Sequence, residues 1–472
     1  MSALPLKVSS RSTRLFAAVR EAIGGTQQDF TEGSLGRAIA LLAIPMVLEM
    51  IMESLFGVVN VFFVAGLGSD AVSAVGMTES ILTILFTIAI GLSMATTATV
   101  ARRIGEKDVA GARQSAVQAI GAGIAVSIVL GVLGAKFAPW LLGKLGAWPS
   151  LLQVGTAYTT LLLGGSGTIV LLFLMNAVFR GAGDAAIAMR VLWLANLVNI
   201  FLVPCLVVGW GPFPKMGLTG AALGTTIGRG VGVLYQFWSL FRGGGRVVLR
   251  RKDIRLQVKP MVNLMRISLP AMFQYAIATA SWLGLVRIIS TYGSAALAGY
   301  TIGIRILVFA LLPSWGMSNA AATLVGQNLG AGKPWRAEQA VWRTGFYNML
   351  FLGTAAVAFI VFARPVIGLF TSDPEVIAVG VDCLRFISYG YPFFAFGMVV
   401  VQAFNGAGDT ATPTMVNLFC YWLWEIPLAY VLARTGTFGA EGVFIAITVA
   451  NSTLAVVAVL LFRRGRWKLR KV

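Results

Sequence analysis

Residues 38–65 read AIALLAIPMVLEMIMESLFGVVNVFFVA, an almost uncharged stretch of about 28 residues. A helix of that length is about 42 Å long, enough to cross a hydrocarbon core of about 30 Å with some tilt. Its only charges are Glu49 and Glu53. A carboxylate near the bilayer centre costs about 2.5–3.5 kcal/mol, so such groups are rarely kept without a function. We interpret the stretch as a transmembrane helix that carries part of a functional site.

The polar residues of this helix share one face. At about 100° per residue, Glu53 lies roughly 40° and Asn60 roughly 20° around the helix from Glu49. Pro45 comes one turn before Glu49 and should bend the helix there, because it lacks a backbone donor. The alternative is a polar seam that only packs against neighbouring helices. We favour an ion or substrate site inside a helix bundle.

The composition excludes a soluble protein. The chain has 472 residues, of which 57% are hydrophobic and 12% are charged, and its mean hydropathy is +0.82. It has no histidine, which excludes a histidine proton relay or metal site. Its three cysteines lie in apolar segments, so we expect packed thiols rather than disulfides: Cys205, Cys383 and Cys420.

Apolar segments long enough to span a membrane recur along the chain, and we count twelve. We therefore expect an all-α integral membrane protein with twelve transmembrane helices, with approximate spans at 38–65, 76–101, 116–137, 157–179, 191–210, 218–241, 262–290, 297–321, 341–363, 383–404, 412–433 and 440–462.

The basic residues predict the orientation. With twelve crossings both termini lie on one side, and most of the 37 Lys and Arg residues fall in the tails and loops of that side. The opposite loops hold only five: Lys136, Lys144, Lys215, Arg364 and Arg434. This asymmetry predicts cytoplasmic termini. It also assigns the net charge of +19 to contact with anionic lipid, so no nucleic-acid partner is needed.

The two halves of the chain resemble each other. GLSMATTATVARRIG at 91–105 aligns with GMSNAAATLVGQNLG at 316–330, and FRGAGD at 179–184 aligns with FNGAGD at 404–409. Pro45 aligns with Pro270 in the same register, so the three matches share one offset. Because each half has six crossings, the repeats should be parallel and related by an axis along the membrane normal, with a cavity between them.

These features divide the chain into five parts. We expect a cytoplasmic N-terminal tail, a six-helix lobe, a basic cytoplasmic linker, a second six-helix lobe and a basic cytoplasmic tail, at residues 1–37, 38–241, 242–261, 262–462 and 463–472.

No catalytic, metal-binding or nucleotide-binding motif stands out. The run at 330–334 lacks the first glycine and the Ser or Thr of a phosphate loop. We therefore expect no cofactor and no ATP hydrolysis. Besides the first helix, the apolar spans hold one carboxylate and a few amides. These either line a transport pathway or only bond neighbouring helices: Glu425, Asn176, Asn196, Asn199 and Gln274.

Several motifs together resemble the multidrug and toxic compound extrusion (MATE) transporters. They are the Pro45 helix followed by Gly66-Leu67-Gly68, VGQNLGAGKPWRAEQA at 325–340, FNGAGDTATPT at 404–414 and EIPLAYVLA at 425–433. The resemblance covers nearly the whole chain. It implies a twelve-helix fold of two lobes, and export of organic cations or other amphipathic drugs in exchange for H⁺ or Na⁺.

The usual ion sites of that family are not intact here. The resemblance implies an aspartate at Asn60, another near Asn199, and second-lobe carboxylates near Gln274 and Phe394. We therefore assign ion coupling to Glu49, Glu53, Asn60 and Asn199. We assign substrate binding to Glu425, Gln274, Asn196 and Asn176, and hinges to Pro45 and Pro270.

The predicted function is secondary active antiport that exports amphipathic, cationic compounds by alternating access. Two carboxylates one turn apart are suited to sharing a proton, so H⁺ is favoured over Na⁺ as coupling ion. The alternatives are a flippase for lipid-linked oligosaccharides or other lipid cargo, and an integral membrane transferase. We expect a monomeric multi-pass protein of the bacterial inner membrane, whose partners are its substrates and membrane lipids.

Overall fold

The computed structural model describes residues 11–434, 438–470 and 472; within these ranges the side chains of residues 11–16 and 56–61 are outside the description. Every regular element in the described residues is a helix. A short helix, α1 (Arg11–Gly24), precedes the first long apolar helix and lies in the segment that we expected to be a tail.

The N-terminal lobe is built from seven helices. In chain order they are α2 (Leu35–Ala65), α3 (Ser69–Gly105), α4 (Val109–Lys144), α5 (Pro149–Gly164), α6 (Ser166–Ala182), α7 (Ala185–Pro204) and α8 (Gly217–Arg242). Helices α5 and α6 follow each other with only Gly165 between them and together form one span. A π-helical turn, Cys205–Gly209, extends α7.

The C-terminal lobe follows a linker that includes a 3-10 turn at Arg251–Asp253. Its helices are α9 (Val258–Ile289), α10 (Ser294–Gly330), α11 (Pro334–Val361), α12 (Ala363–Gly368), α13 (Pro374–Gly406), α14 (Ala411–Asn417), α15 (Ile426–Arg434) and α16 (Glu441–Arg463). A π-helical segment, Leu418–Glu425, joins α14 to α15, so the three form one span. Two further 3-10 turns lie at Ser290–Tyr292 and Arg466–Leu469.

Eleven spans in the described residues are long and apolar enough to cross a membrane. The twelfth expected span, α8, has 26 residues, or about 39 Å, and packs along α7. Arg229 and a row of glycines make it less apolar than the others. The glycines let it approach α7 closely: a Cβ on Gly228 would lie 2.7 Å from the carbonyl oxygen of Ala195. The all-helical membrane fold predicted from the sequence is confirmed.

The lobes meet through pairs of contacts that repeat in the register of the two sequence repeats. A Cβ on Gly105 would lie 1.9 Å from the carbonyl oxygen of Gln327, and a Cβ on Gly330 would lie 2.1 Å from that of Arg102. The ends of α3 and α10 therefore cross backbone to backbone at two equivalent points. Such reciprocal contacts are what two parallel repeats around one axis produce.

One end of the bundle holds the lobes together. We call it the linker end, because it carries the linker between the lobes and the turns after α3 and α10. There Arg336 of α11 donates to the carbonyl oxygens of Gly33 (3.0 Å) and Glu32 (2.8 Å). Arg102 donates to the carbonyl oxygen of Arg470 (2.6 Å). Among the described residues, the hydrogen bonds between the lobes lie at this end.

Candidate functional site

Two adjoining cavities lie between the lobes. The larger has a volume of about 260 Å³ and is walled by the C-terminal lobe together with Met94 of α3. The smaller, of about 100 Å³, lies nearer the N-terminal lobe. Both are lined by Met94, Trp315 and Gln402, so they form one central cavity that reaches across the axis between the repeats.

The central cavity is aromatic on one side and polar on the other. Its aromatic residues include a stacked pair, Tyr275 and Trp315, whose ring centroids lie 6.4 Å apart. Its polar side carries a chain of amides: Asn405 donates to Gln402 (2.6 Å), which donates to Asn319 (2.7 Å). Such a wall suits a flat amphipathic molecule with a polar or charged edge.

The charged group on the wall is Arg180, in the last turn of α6. Its Nη1 lies 2.8 Å from Oε1 of Glu49, which is buried behind it in α2. Asn176 donates to the same oxygen at 3.1 Å, and Gln236 of α8 donates to Asn176 at 2.7 Å. Oε2 of Glu49 has no hydrogen-bond partner among the described residues. The ion pair is therefore buried on the carboxylate side and faces the cavity on the guanidinium side.

Glu53 interacts with a different arginine from the one that pairs with Glu49. It is half-buried one turn after Glu49, and the positive charge that acts on it is Arg229 of α8. The two carboxylates thus interact with two separate arginines, although we expected them to share one proton. Asn60, the third predicted residue of this face, lies among the side chains outside the described part of the chain.

The two other amides predicted in the N-terminal lobe connect helices. Asn196 donates to the carbonyl oxygen of Met52 at 3.1 Å, which joins α7 to α2. Asn199 donates to Thr225 at 3.1 Å, which joins α7 to α8. Both side chains are buried, and neither is among the residues that line the central cavity. Oδ1 of Asn199 has no hydrogen-bond partner among the described residues, so these contacts use only the amide nitrogens, and the roles of both residues in ion or substrate binding stay predictions.

The two site residues predicted in the C-terminal lobe, Gln274 and Glu425, lie in different environments. Gln274 lines the central cavity, as expected for a substrate-binding residue, and its Oε1 has no described partner. Glu425 is buried and accepts a hydrogen bond from Ser281 (3.0 Å). It follows Tyr421, which does line the cavity, but the intervening segment is π-helical and its wider turn breaks the α-helical register. The structure therefore leaves Glu425 outside the cavity lining.

The two predicted hinge prolines lie inside long helices, Pro45 in α2 and Pro270 in α9. Each lies next to a contact with the other lobe. A Cβ on Gly316 of α10 would be 2.6 Å from the carbonyl oxygen of Met46, and a Cβ on Gly91 of α3 would be 2.8 Å from the amide nitrogen of Met272. A bend at either proline would therefore change how the lobes meet.

Arg180 is not among the site residues that the sequence predicts. The signal was in the repeat: in the register of the two sequence repeats, Arg180 corresponds to Asn405, and Glu49 corresponds to Gln274. The structure places Arg180, Asn405 and Gln274 on the cavity wall. One repeat thus has an ion pair where the other has two amides, and that difference marks a charged site specific to the N-terminal lobe.

Comparison with known proteins gives the same architecture. The MatE family model matches the chain twice, over residues 45–205 and 270–431, which begin at the same offset as the repeated motifs. A Thermotoga maritima protein named "Probable multidrug resistance protein NorM" is 27% identical over 435 residues, which cover 91% of this chain and 93% of that protein. A Shewanella oneidensis protein named "FAD transporter" is 25% identical over 436 residues, with coverage of 91% and 95%.

A solved structure shares the fold over nearly its full length. It is described as the outward-facing conformation of a multidrug resistance MATE family transporter of the MOP superfamily. The TM-score is 0.87 at 25% identity, with coverage of 93% of this chain and 98% of that one. The double family match spans more than half of the chain, and the fold match spans almost all of it. The chain therefore belongs to the MatE family and is a multi-pass membrane transporter rather than an enzyme.

Proposed function

We propose that this transporter exports amphipathic organic cations from a bacterial cell in exchange for H⁺. The observation that carries the proposal is the Arg180–Glu49 pair, with its guanidinium on the cavity wall and its carboxylate buried behind. The linker end faces the cytoplasm in this proposal, because the basic loops lie there. The described arrangement is then the one closed to the cytoplasm.

The pair offers a simple means of exchange. While Glu49 is ionised, Arg180 is neutralised at 2.8 Å, and an aromatic cation can bind against the Tyr275–Trp315 wall through the faces of the rings. When Glu49 takes up a proton, the charge of Arg180 is no longer balanced and repels the bound cation. At roughly 6 Å and an effective dielectric constant of about 20, this repulsion is about 3 kcal/mol, or about 100-fold in affinity.

Gln274 and the Asn405–Gln402–Asn319 chain complete the proposed substrate site, since all four line the cavity. Alternating access would come from rocking of the lobes around the axis, with Pro45 and Pro270 as the bends next to the contacts between the lobes. Glu53 and Arg229 form a second pair of charges that could relay the proton toward Glu49, one turn away in α2.

An anionic cargo is the second candidate, because Arg180 lies on the wall and one relative is named an FAD transporter. Glu49 argues against it: an anion would have to compete with a carboxylate that already holds Arg180. The described residues that line the two cavities include no Lys and no other Arg to replace that partner. Two dyes with the same ring system, one a net cation and the other with a carboxylate that cancels that charge, test whether the cargo must be cationic.

Purified transporter in proteoliposomes is given rhodamine 123, a cationic methyl ester, or rhodamine 110, the corresponding acid. We expect a pH gradient to drive transport of the ester at least tenfold faster than that of the acid. The same membranes with a Na⁺ gradient and no pH gradient should show no driven transport. Preference for the acid, or transport that depends on Na⁺ alone, would overturn the proposal.

A further inference from the structure

The structure carries another cavity, which shares no lining residue with the central one and which the transport mechanism does not use. It lies at the linker end, has a volume of about 560 Å³, and is enclosed by α3, α4 and the first turns of α9, with the C-terminal Val472 on its wall. Its side chains are mostly polar or basic. Those that matter here are Arg103, Ser115, Lys259, Asn263 and Arg266.

The two basic residues that α9 contributes to this cavity, Lys259 and Arg266, have no acidic partner in the described part of the chain. Arg103 forms an ion pair with Glu106 (3.0 Å), but neither Lys259 nor Arg266 forms an ion pair within the described residues. Both are exposed and one side of the cavity brings them together, since residues 259, 263 and 266 follow each other at helical spacing. Two unpaired cations beside the neutral donors of the cavity wall form a site for an anion.

An exposed apolar stripe runs beside this cavity. Val262, Leu269 and Phe273 are each more than half exposed and lie on one face of α9. Arg266 lies on the edge of that face, about 12 Å along the helix from its start. An arginine on a membrane-spanning helix beside an apolar face is costly unless an anion pairs with it. A phospholipid supplies both parts, because its phosphate can reach the cations while its acyl chains cover the stripe.

We propose that this cavity binds the headgroup of an anionic phospholipid, with Lys259 and Arg266 on the phosphate and Val262, Leu269 and Phe273 along the acyl chains. The headgroup would touch α3 and α4 of one lobe and α9 of the other. It therefore stabilises the arrangement in which the linker end is closed. This binding is independent of the proposed transport function.

The test measures lipid binding by native mass spectrometry of the purified full-length transporter. We expect phosphatidylglycerol to be retained at least tenfold more than phosphatidylcholine. The Lys259→Gln/Arg266→Gln variant should lose this preference. The matched control, Arg251→Gln/Lys252→Gln, removes two exposed charges from the linker near the same end of the bundle and should keep it.

Two results would overturn the proposal. One is equal retention of phosphatidylglycerol by the Lys259→Gln/Arg266→Gln variant and the wild type. The other is displacement of phosphatidylglycerol by millimolar inorganic phosphate, because the site would then bind a soluble anion without its acyl chains. Melting temperatures in phosphatidylcholine alone, expected to be equal for all variants, show that lost binding is not lost folding.

Discussion

Arg180 and Glu49 form a buried ion pair, and the charge on each residue affects the free energy of the other. An arginine and a glutamate taken out of water cost several kcal/mol each, which their attraction offsets only when the geometry is good. Here Arg180 is 11% exposed toward the cavity, whereas Glu49 is 2% exposed. The pair is therefore solvated only on the side of Arg180. A change in the charge of Glu49 changes the net charge of the pair and so the electrostatic potential in the cavity.

The first prediction follows from that asymmetry. Glu49→Gln keeps an oxygen that accepts hydrogen bonds from Asn176 and Arg180 but leaves the positive charge of Arg180 without a negative charge to balance it. We expect the affinity for a cationic dye to fall about 100-fold and its dependence on pH to disappear. Equilibrium dye binding at several pH values measures both effects, with protein amount and membrane insertion checked separately.

Two further variants test whether the effect comes from the unbalanced charge of Arg180. Glu49→Gln combined with Arg180→Gln removes both charges, so affinity should return to within a few-fold of wild type while the pH dependence stays absent. Glu425→Gln removes another buried carboxylate, but outside the cavity lining, and should change affinity less than threefold. If Glu49→Gln binds the dye as the wild type does at every pH, the pair is structural.

At the scale of the helices, the crossing of α3 and α10 controls the linker end. Two glycines permit it, Gly105 and Gly330, and each approaches a backbone carbonyl of the other lobe. A carbonyl in the middle of a helix turn cannot move aside as a flexible side chain can. Any side chain at either glycine must therefore push the helices apart.

The second prediction is that Gly105→Ala opens the linker end. Its Cβ would lie 1.9 Å from the carbonyl oxygen of Gln327, so the two helices must separate. We expect the distance between spin labels at Glu106 and Trp335 to lengthen, and proton-driven transport to fall at least tenfold. Both label positions are exposed and belong to different lobes.

Gly143→Ala is the matched control, because a Cβ there would meet no atom within 4 Å. It should change neither the label distance nor transport. An unchanged distance in Gly105→Ala would mean that the crossing at Gly105 does not hold the linker end closed.

At the scale of the whole molecule, the GAGD turn inside each repeat is held by the segment that follows that repeat. Asp184 of FRGAGD accepts a hydrogen bond from the backbone amide of Arg246 (2.6 Å), and Asp409 of FNGAGD pairs with Arg470 (3.1 Å). Burial raises the pKa of the Asp184 carboxyl, and the hydrogen bond and charge of Arg246 oppose that rise. The linker and the C-terminal tail are thus equivalent straps, each bound to an aspartate of the lobe that precedes it, and the tail also contacts the other lobe through Arg102.

The third prediction concerns orientation. Because both straps and most basic residues lie at the linker end, Lys252→Cys should react with a membrane-impermeant maleimide in inside-out vesicles but not in intact cells. Lys144→Cys, at the opposite end, should react in intact cells. The native cysteines Cys205, Cys383 and Cys420 are buried and should contribute little background. Labelling of Lys252→Cys from outside would reverse the topology.

The all-helical membrane architecture and the parallel repeat can both be predicted from the order of residues. Apolar length specifies a span because lipid offers no hydrogen bonds to an unpaired backbone. The common offset of the glycine and proline motifs specified which helices correspond. These are local or periodic properties, so they can be read from the order of residues.

Which polar residues meet depends on how the helices pack, and the order of residues does not show it. Glu49 and Glu53 are neighbours on α2, yet they interact with arginines from α6 and α8 that are distant in the chain. Asn196 and Gln274 look alike in sequence, but one bonds a neighbouring helix and the other lines the cavity. The rotation of each helix sets these partners, and it depends on close contacts such as the approach of Gly228 to α7, which belong to pairs of helices and to no single segment.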